Sequence, residues 1–388
     1  MPCCFVKRIM NYSKLLFLST FLLFAHPLIA QKKMLIVQAK STSVHIKEDQ
    51  QLYKDAWRIE PEIAVDTYTS SAQRISFITD VDSISFTLGP GVVHEFCFVL
   101  NGKDTASTKI IYQPARLDIL KAAAAYDAKD QRFVPKFSYQ SASDTNLQRI
   151  RRDLRLDSIA GNGSELSKIF NLMHWVHNLI KHDGNSNNPT LKNAIDLIKV
   201  CKQENRGVNC RMLATILNEC YLSLGIRSRY ITCMPKETQF DDCHVINMVF
   251  SRQLDKWVWI DPTFDAYVMD EKGQLLGILE VRERLIQGSP LILNADANWN
   301  RGSLQTKENY LEQYMAKNLY RLQTPLVSEY DTETWKSGKQ VSYVELLPLD
   351  GLEQLPQQRT QINTSTGVIF TYYKTNNPAI FWAKPDLK

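Results

Sequence analysis

Residues 207–264 limit the folds open to this chain more than any other part of it. The tract GVNCRMLATILNECYLSLGI repeats Met212, Leu213, Ile216, Leu217, Cys220, Tyr221 and Leu224 at helical spacing. Asn209 is placed to cap its start and Gly225 to end it. Two strand-like runs follow, DDCHVINMVF and KWVWIDPTF. The short connection between them, around Leu254, Asp255 and Lys256, predicts a hairpin. An apolar helix followed by an antiparallel pair of mostly buried strands has to pack face to face, which is an α+β arrangement.

The same stretch carries three residues whose chemistry belongs together. Cys210 falls in the first turn of the expected helix, where unpaired amides and the positive end of the helix dipole favour a thiolate. Cys220, on the apolar stripe, reads as an inert core thiol. His244 opens the first strand and Asp261 closes the second, immediately before Pro262. Paired antiparallel, the two strands bring His244 and Asp261 to the same end of the sheet. A carboxylate there holds one imidazole nitrogen while the other faces the thiol, the logic of nucleophile, base and orienter. Each residue alone has a plainer reading: a small buried hydrophobe, a structural histidine and a turn residue before proline.

These residues resemble the transglutaminase-like family. Its core has a cysteine at a helix start, an apolar helix ending in Leu-Gly-Ile with an arginine three residues on, a strand with a histidine, and a Trp-x-x-x-Asp-Pro-Thr segment. Here they stand as Cys210, Leu224-Gly225-Ile226 with Arg229, His244, and Trp257 with Asp261-Pro262-Thr263. The resemblance covers residues 165–265. The family histidine is often followed by alanine and tryptophan; Val245 and Ile246 stand here instead, a change in the wall of the site. The resemblance implies a papain-like fold, in which the nucleophile helix packs on an antiparallel sheet carrying the other two residues. It also implies a catalytic triad of Cys210, His244 and Asp261. For the oxyanion, the backbone amide of Cys210 is one expected donor, with Gln203 or Asn205 as side-chain candidates. His174 and His177, at i and i+3 on the preceding helix with His182 beyond it, could face one site, and helix packing and surface solvation explain them equally well.

The chain opens with Lys7, Arg8 and Lys14, the apolar run LLFLSTFLLFA and a plausible cleavage after Ala30, which predicts a signal peptide over residues 1–30. Leu15–Ala25 is too short to span a bilayer, and no lipid-anchor cysteine follows it. The mature protein is therefore expected in the periplasm or outside the cell, non-lipidated and without stable membrane insertion. Setting those residues aside lowers the formal charge from +5 to +2, since they carry three basic and no acidic residues. That balance predicts no nucleic-acid partner. Arg149, Arg151, Arg152 and Arg155 read as the wet face of a helix patterned by Leu147, Ile150 and Leu154. Cys97, Cys201, Cys210, Cys220, Cys233 and Cys243 remain, and Cys233 and Cys243 flank a loop in a way that allows a disulfide. With no Cys-x-x-Cys, no His-Glu-x-x-His and no acidic calcium loop, no metal and no cofactor is expected.

Residues 31–113 alternate as a small β-sandwich, with RISFITDVDSISFTL and HEFCFVLNGKDTASTKI separated by Gly and Pro turns. Helices dominate 114–325, the expected catalytic domain, beginning with LDILKAAAAY. There Tyr310, Leu311, Tyr314, Met315, Leu319 and Leu322 form a stripe that reads as core. Residues 326–388 read as a shorter β-rich segment. The expected function is an exported amide hydrolase of peptidase or amidase type, working through a thioester on protein, peptide or peptidoglycan-type amides. Transfer of the acyl group to a lysine amine, as in a cross-linking transglutaminase, is the alternative reaction. A non-catalytic cell-surface binding module is the alternative class.

Overall fold

The computed structural model describes residues 34–239 and 242–386; the expected signal peptide lies outside them. Among the described residues no helix is long and apolar enough to cross a membrane. The chain divides into one unit that ends at Ala115 and a second from Arg116 onward.

The first unit has eight strands: β1 (Leu35–Ala39), β2 (Ser43–Glu48), β3 (Gln51–Arg58), β4 (Asp66–Ser70), β5 (Arg74–Ile78), β6 (Ser83–Thr87), β7 (Val93–Leu100) and β8 (Asp104–Tyr112). They form two four-stranded sheets, ordered β1-β7-β8-β4 and β3-β2-β5-β6. Alternate residues face inward, so Val37, Ile46, Phe77, Phe96, Phe98 and Ile110 from both sheets share one buried core.

The second unit is built around a seven-stranded sheet. Its first seven helices in chain order are α1 (Arg116–Lys121), α2 (Thr145–Asp153), α3 (Leu156–Ala160), α4 (Glu165–Leu179), α5 (Ala194–Glu204), α6 (Cys210–Ser223) and α7 (Ile278–Gln287). The helix expected from LDILKAAAAY stops at Lys121: Tyr126 beyond it stacks under the Arg282 guanidinium, and that packing overrides the helix propensity of the alanines. A two-residue strand, β9 (Ser138–Tyr139), precedes α2. The sheet begins with β10 (Ser228–Met234), β11 (His244–Ser251) and β12 (Lys256–Ile260). Short pairs follow, β13 (Val268–Met269) with β14 (Ile292–Leu293) and β15 (Asn298–Trp299) with β16 (Ser303–Leu304). The sheet resumes with β17 (Arg321–Pro325), and β18 (Val327–Ser328) pairs back to β9. Strands β19 (Gln340–Leu346), β20 (Gln358–Ile362) and β21 (Ile369–Thr375) complete the order β12-β11-β10-β17-β19-β21-β20. All pairs in it are antiparallel except β19 with β21.

Both faces of this sheet are covered, which is why β10 and β11 are buried at every residue. On one face, Ile169, Leu172, Leu213, Ile216, Val249 and Ile260 join α4 and α6 to the sheet. On the other, Ile246, Met248 and Trp259 pack with Val281, Tyr310, Leu311 and Met315. Helix α6 runs through the middle, buried from Met212 to Ser223. Its start is capped by the Asn209 side chain, which accepts from the Met212 amide at 3.1 Å. Gly225, at φ +76°, ends it, with Ile226 N–H reaching back to Tyr221 O.

The stripe from Tyr310 to Leu322 is not one helix. Glu308–Met315 is a π-helix, a short α-helical turn ends at Asn318, and Leu322 already lies on β17. Leu319 and Leu322 are buried with the rest, so the apolar spacing survives a change of element. Cys233 and Cys243 are both free thiols. Cys233 is paired in register with His244, whereas Cys243 precedes the strand. Of the basic cluster, Arg151 pairs with Asp157 while Arg149 and Arg152 share Asp153 at the surface. Arg155 leaves the helix in a left-handed conformation.

Candidate active site

The β11–β12 register sets the geometry. Asn247 pairs with Ile260, so Asp261 sits one step beyond, beside Ile246. His244, two residues earlier, reaches it diagonally from the same face. His244 Nε2 lies 2.8 Å from Asp261 Oδ2, and both side chains are fully enclosed. The aspartate is held on its other oxygen by the amides of Thr263 at 2.8 Å and Phe264 at 3.4 Å. Tyr310 Oη, carried by the π-helix, donates to Oδ2 at 2.6 Å and itself accepts from Trp259 Nε1 at 3.2 Å. Every acceptor position of the buried carboxylate that the site needs is therefore occupied.

The His244 ring is gripped by two aromatic rings, Phe264 at 5.6 Å and Tyr314 at 5.2 Å between centroids. With Nε2 committed to Asp261, Nδ1 is left to face Cys210, and no well-aligned hydrogen bond occupies it. The contact between the imidazole and the thiol is thus loose, a common state of catalytic hydrogen bonds before substrate arrives. Cys210 is half-buried, stands at the first position of α6 and lies against Ala214, Tyr230 and Val245.

The electrostatics favour an ion pair. Burial alone would raise the Cys210 thiol, but side-chain contacts with His182 and His244 and the charge of the His244 imidazolium outweigh it and bring the thiol down to about 6. Burial alone would lower the His244 imidazolium, but the charge and hydrogen bond of Asp261, then Cys210, raise it to about 10. Between those values the arrangement is a thiolate beside an imidazolium. By contrast, burial pushes Cys220 and Cys233 upward, away from reactivity. Such a pair can attack a carbonyl carbon through sulfur and return a proton to the departing group through the imidazolium.

Gln203 and Asn205 are exposed at the C-terminal end of α5, where Asn205 is the left-handed cap. The polar side chain that reaches Cys210 from upstream is His182. His182, Tyr310 and Tyr314, which the sequence pattern reads as surface, packing or core residues, all reach the site. Tyr310 is buried as expected of a core tyrosine, and only its hydroxyl partner reveals the second role. His177 uses both ring nitrogens, on Pro262 O at 3.1 Å and Asn298 Oδ1 at 3.0 Å, while His174 holds Asp265. Both brace the loop that leaves Asp261.

Comparison with known proteins gives a family match over part of the chain. The model of the transglutaminase-like superfamily matches residues 152–262, and that superfamily includes cysteine peptidases and transglutaminases. No curated protein matches the chain. Among solved structures, one from Cytophaga hutchinsonii, described as a candidate cysteine protease, is 19% identical over 30% of this chain and 37% of its own, with a TM-score of 0.24. Red sea bream transglutaminase is 12% identical over 60% of this chain and 49% of its own, with a TM-score of 0.23. The chain spans less than half the length of either, and neither likeness is close enough to bear on reaction or substrate. Residues 152–262, which contain Cys210, His244 and Asp261, are a transglutaminase-like domain.

Proposed function

We propose that the protein is an exported cysteine-dependent amide hydrolase. Cys210 attacks the amide carbon, His244 protonates the departing amine, and Asp261 orients the imidazole and stabilises its charged form. Water then resolves the thioester, with His244 as base. The observation that carries the reading is the convergence on Cys210: a helix-start thiol drawn down to about 6 beside an imidazolium whose far nitrogen is held by Asp261. The substrates this chemistry fits are protein, peptide or peptidoglycan-type amides.

The test is digestion of a peptide mixture in water enriched in oxygen-18, with a primary amine present, followed by mass spectrometry. Hydrolysis places one heavy oxygen in each new carboxyl group, whereas transfer adds the amine. The reading expects heavy oxygen, lost in Cys210→Ala. Amine incorporation would turn the assignment to an acyltransferase, and identical products from the Cys210→Ala protein would remove the enzyme reading.

A further inference from the structure

We propose that His182 is the oxyanion donor of this site: its Nε2–H, fixed in that tautomer by Trp299, hydrogen-bonds the carbonyl oxygen of the acyl group that Cys210 attacks. The inference rests on the reading of Cys210 as the nucleophile.

The backbone on both sides of His182 is pinned. On one side it forms a parallel bridge with Val208, two residues before Cys210. Val208 N–H donates to Lys181 O at 3.1 Å, and Asp183 N–H donates to Val208 O at 2.8 Å. This approach requires Gly207. A Cβ there would lie 2.4 Å from Lys181 O and 2.8 Å from Asp183 Cβ, so any side chain would force the two segments apart. On the other side Asn300 Oδ1 accepts from His182 N–H at 2.7 Å, and Asn300 Nδ2 donates to His182 O at 3.0 Å.

The side chain is then read by elimination of tautomers. Trp299 Nε1 lies 3.4 Å from His182 Nδ1. An indole nitrogen only donates, so Nδ1 must be the lone-pair nitrogen, and a neutral ring carries its proton on Nε2. The neighbouring acid, Asp183, is turned away and accepts from the amides of Asn185 and Ser186. Nε2–H is therefore the donor that His182 has free, on a ring whose backbone bridges Val208, two residues from Cys210, and whose side chain acts on that thiol. A donor beside the thiolate in the resting site is well placed for the next step. When sulfur bonds to the carbonyl carbon, the π pair moves onto oxygen and the negative charge passes from sulfur to an atom two bonds away. His182 keeps its proton throughout; the pair returns to the carbonyl as the leaving group departs with a proton from His244. The Cys210 amide, at the first helical position, has no intrahelical acceptor and supplies the companion donor.

The experiment compares two reactions of the same thiolate. Acylation by p-nitrophenyl acetate forms an oxyanion: the S–C bond forms and nitrophenolate leaves. Alkylation by iodoacetamide, at a saturated carbon, forms none. Rates at Cys210 are located by mass spectrometry, with Cys210→Ala as background. Their ratio at one pH cancels the fraction of thiolate. We expect His182→Phe to lower the ratio of acylation to alkylation by about 100-fold, the low end for one oxyanion donor. His182→Gln, which keeps an N–H donor, should stay within about tenfold of wild type, and Trp299→Phe should fall between them. An unchanged ratio, with both reactions slowed together, would show that His182 only tunes or packs against the thiol and would overturn the proposal. If wild-type Cys210 reacts with neither probe faster than an ordinary thiol, the nucleophile reading falls first and this one with it.

Discussion

Tyr310 donates its hydroxyl to the same Asp261 oxygen that holds His244 Nε2, at 2.6 Å against 2.8 Å. The two donors share one partial charge, so the carboxylate bears on the imidazolium less strongly than it would alone. Removing the hydroxyl in Tyr310→Phe leaves His244 the sole side-chain donor to Oδ2. The imidazolium should become a weaker acid, and the alkaline limb of activity should move to higher pH. Nitrogen-resolved NMR of labelled histidine checks this directly. A tyrosine serving only as core would leave the titration unmoved. Stability should also fall by about 1.5–3 kcal/mol, the range for a hydrogen bond to a charged group.

The pH dependence follows from the signs. The thiol is lowered to about 6 and the imidazolium raised to about 10. Below about 6 the sulfur gains a proton and loses nucleophilicity. Above about 10 the imidazole has no proton to give the leaving group. Turnover of a peptide amide should therefore be broad across neutral pH and fall at both ends.

Asp261→Asn preserves shape but removes the charge that raises His244. The imidazolium should then lose its proton near neutral pH, and the Cys210 thiol should climb toward its ordinary value. Activity at pH 7 should drop by several orders of magnitude, as triad orienters generally show, while circular dichroism stays native.

Gly207→Ala tests the approach of the 181–183 segment to Val208. The new methyl group overlaps Lys181 O, so the segment must shift and carry His182 with it. The melting temperature of the protein should fall, with a cost of about 1–3 kcal/mol for overpacking, and acylation of Cys210 should slow more than its alkylation.

The parts legible in the sequence were those decided by local pattern. The cap at Asn209, the stop at Gly225 and the hairpin register placing His244 near Asp261 all follow from residues close together in the chain. The missing pieces depend on distant segments. Tyr310 lies 49 residues from Asp261, in a helix whose period departs from 3.6, so its hydroxyl carried no local signal. His182 gains its place from Gly207 on one side and the Trp299–Asn300 turn on the other. The one hint was a glycine three residues before the cysteine, where a close backbone approach is a standing reason for glycine. The alanine run after Lys121 misled in the opposite direction, because propensity yields to the packing of Tyr126.

The central claim is that Cys210 is a thiolate activated by His244. Its most direct test is the rate of Cys210 alkylation by iodoacetamide between pH 5 and 10, compared between wild type and His244→Ala. The account predicts rapid labelling that rises with a midpoint near 6 in the wild type. In the variant that midpoint should move toward the ordinary thiol value of about 8.5. A wild-type midpoint near the ordinary value, or one indifferent to His244, would contradict it.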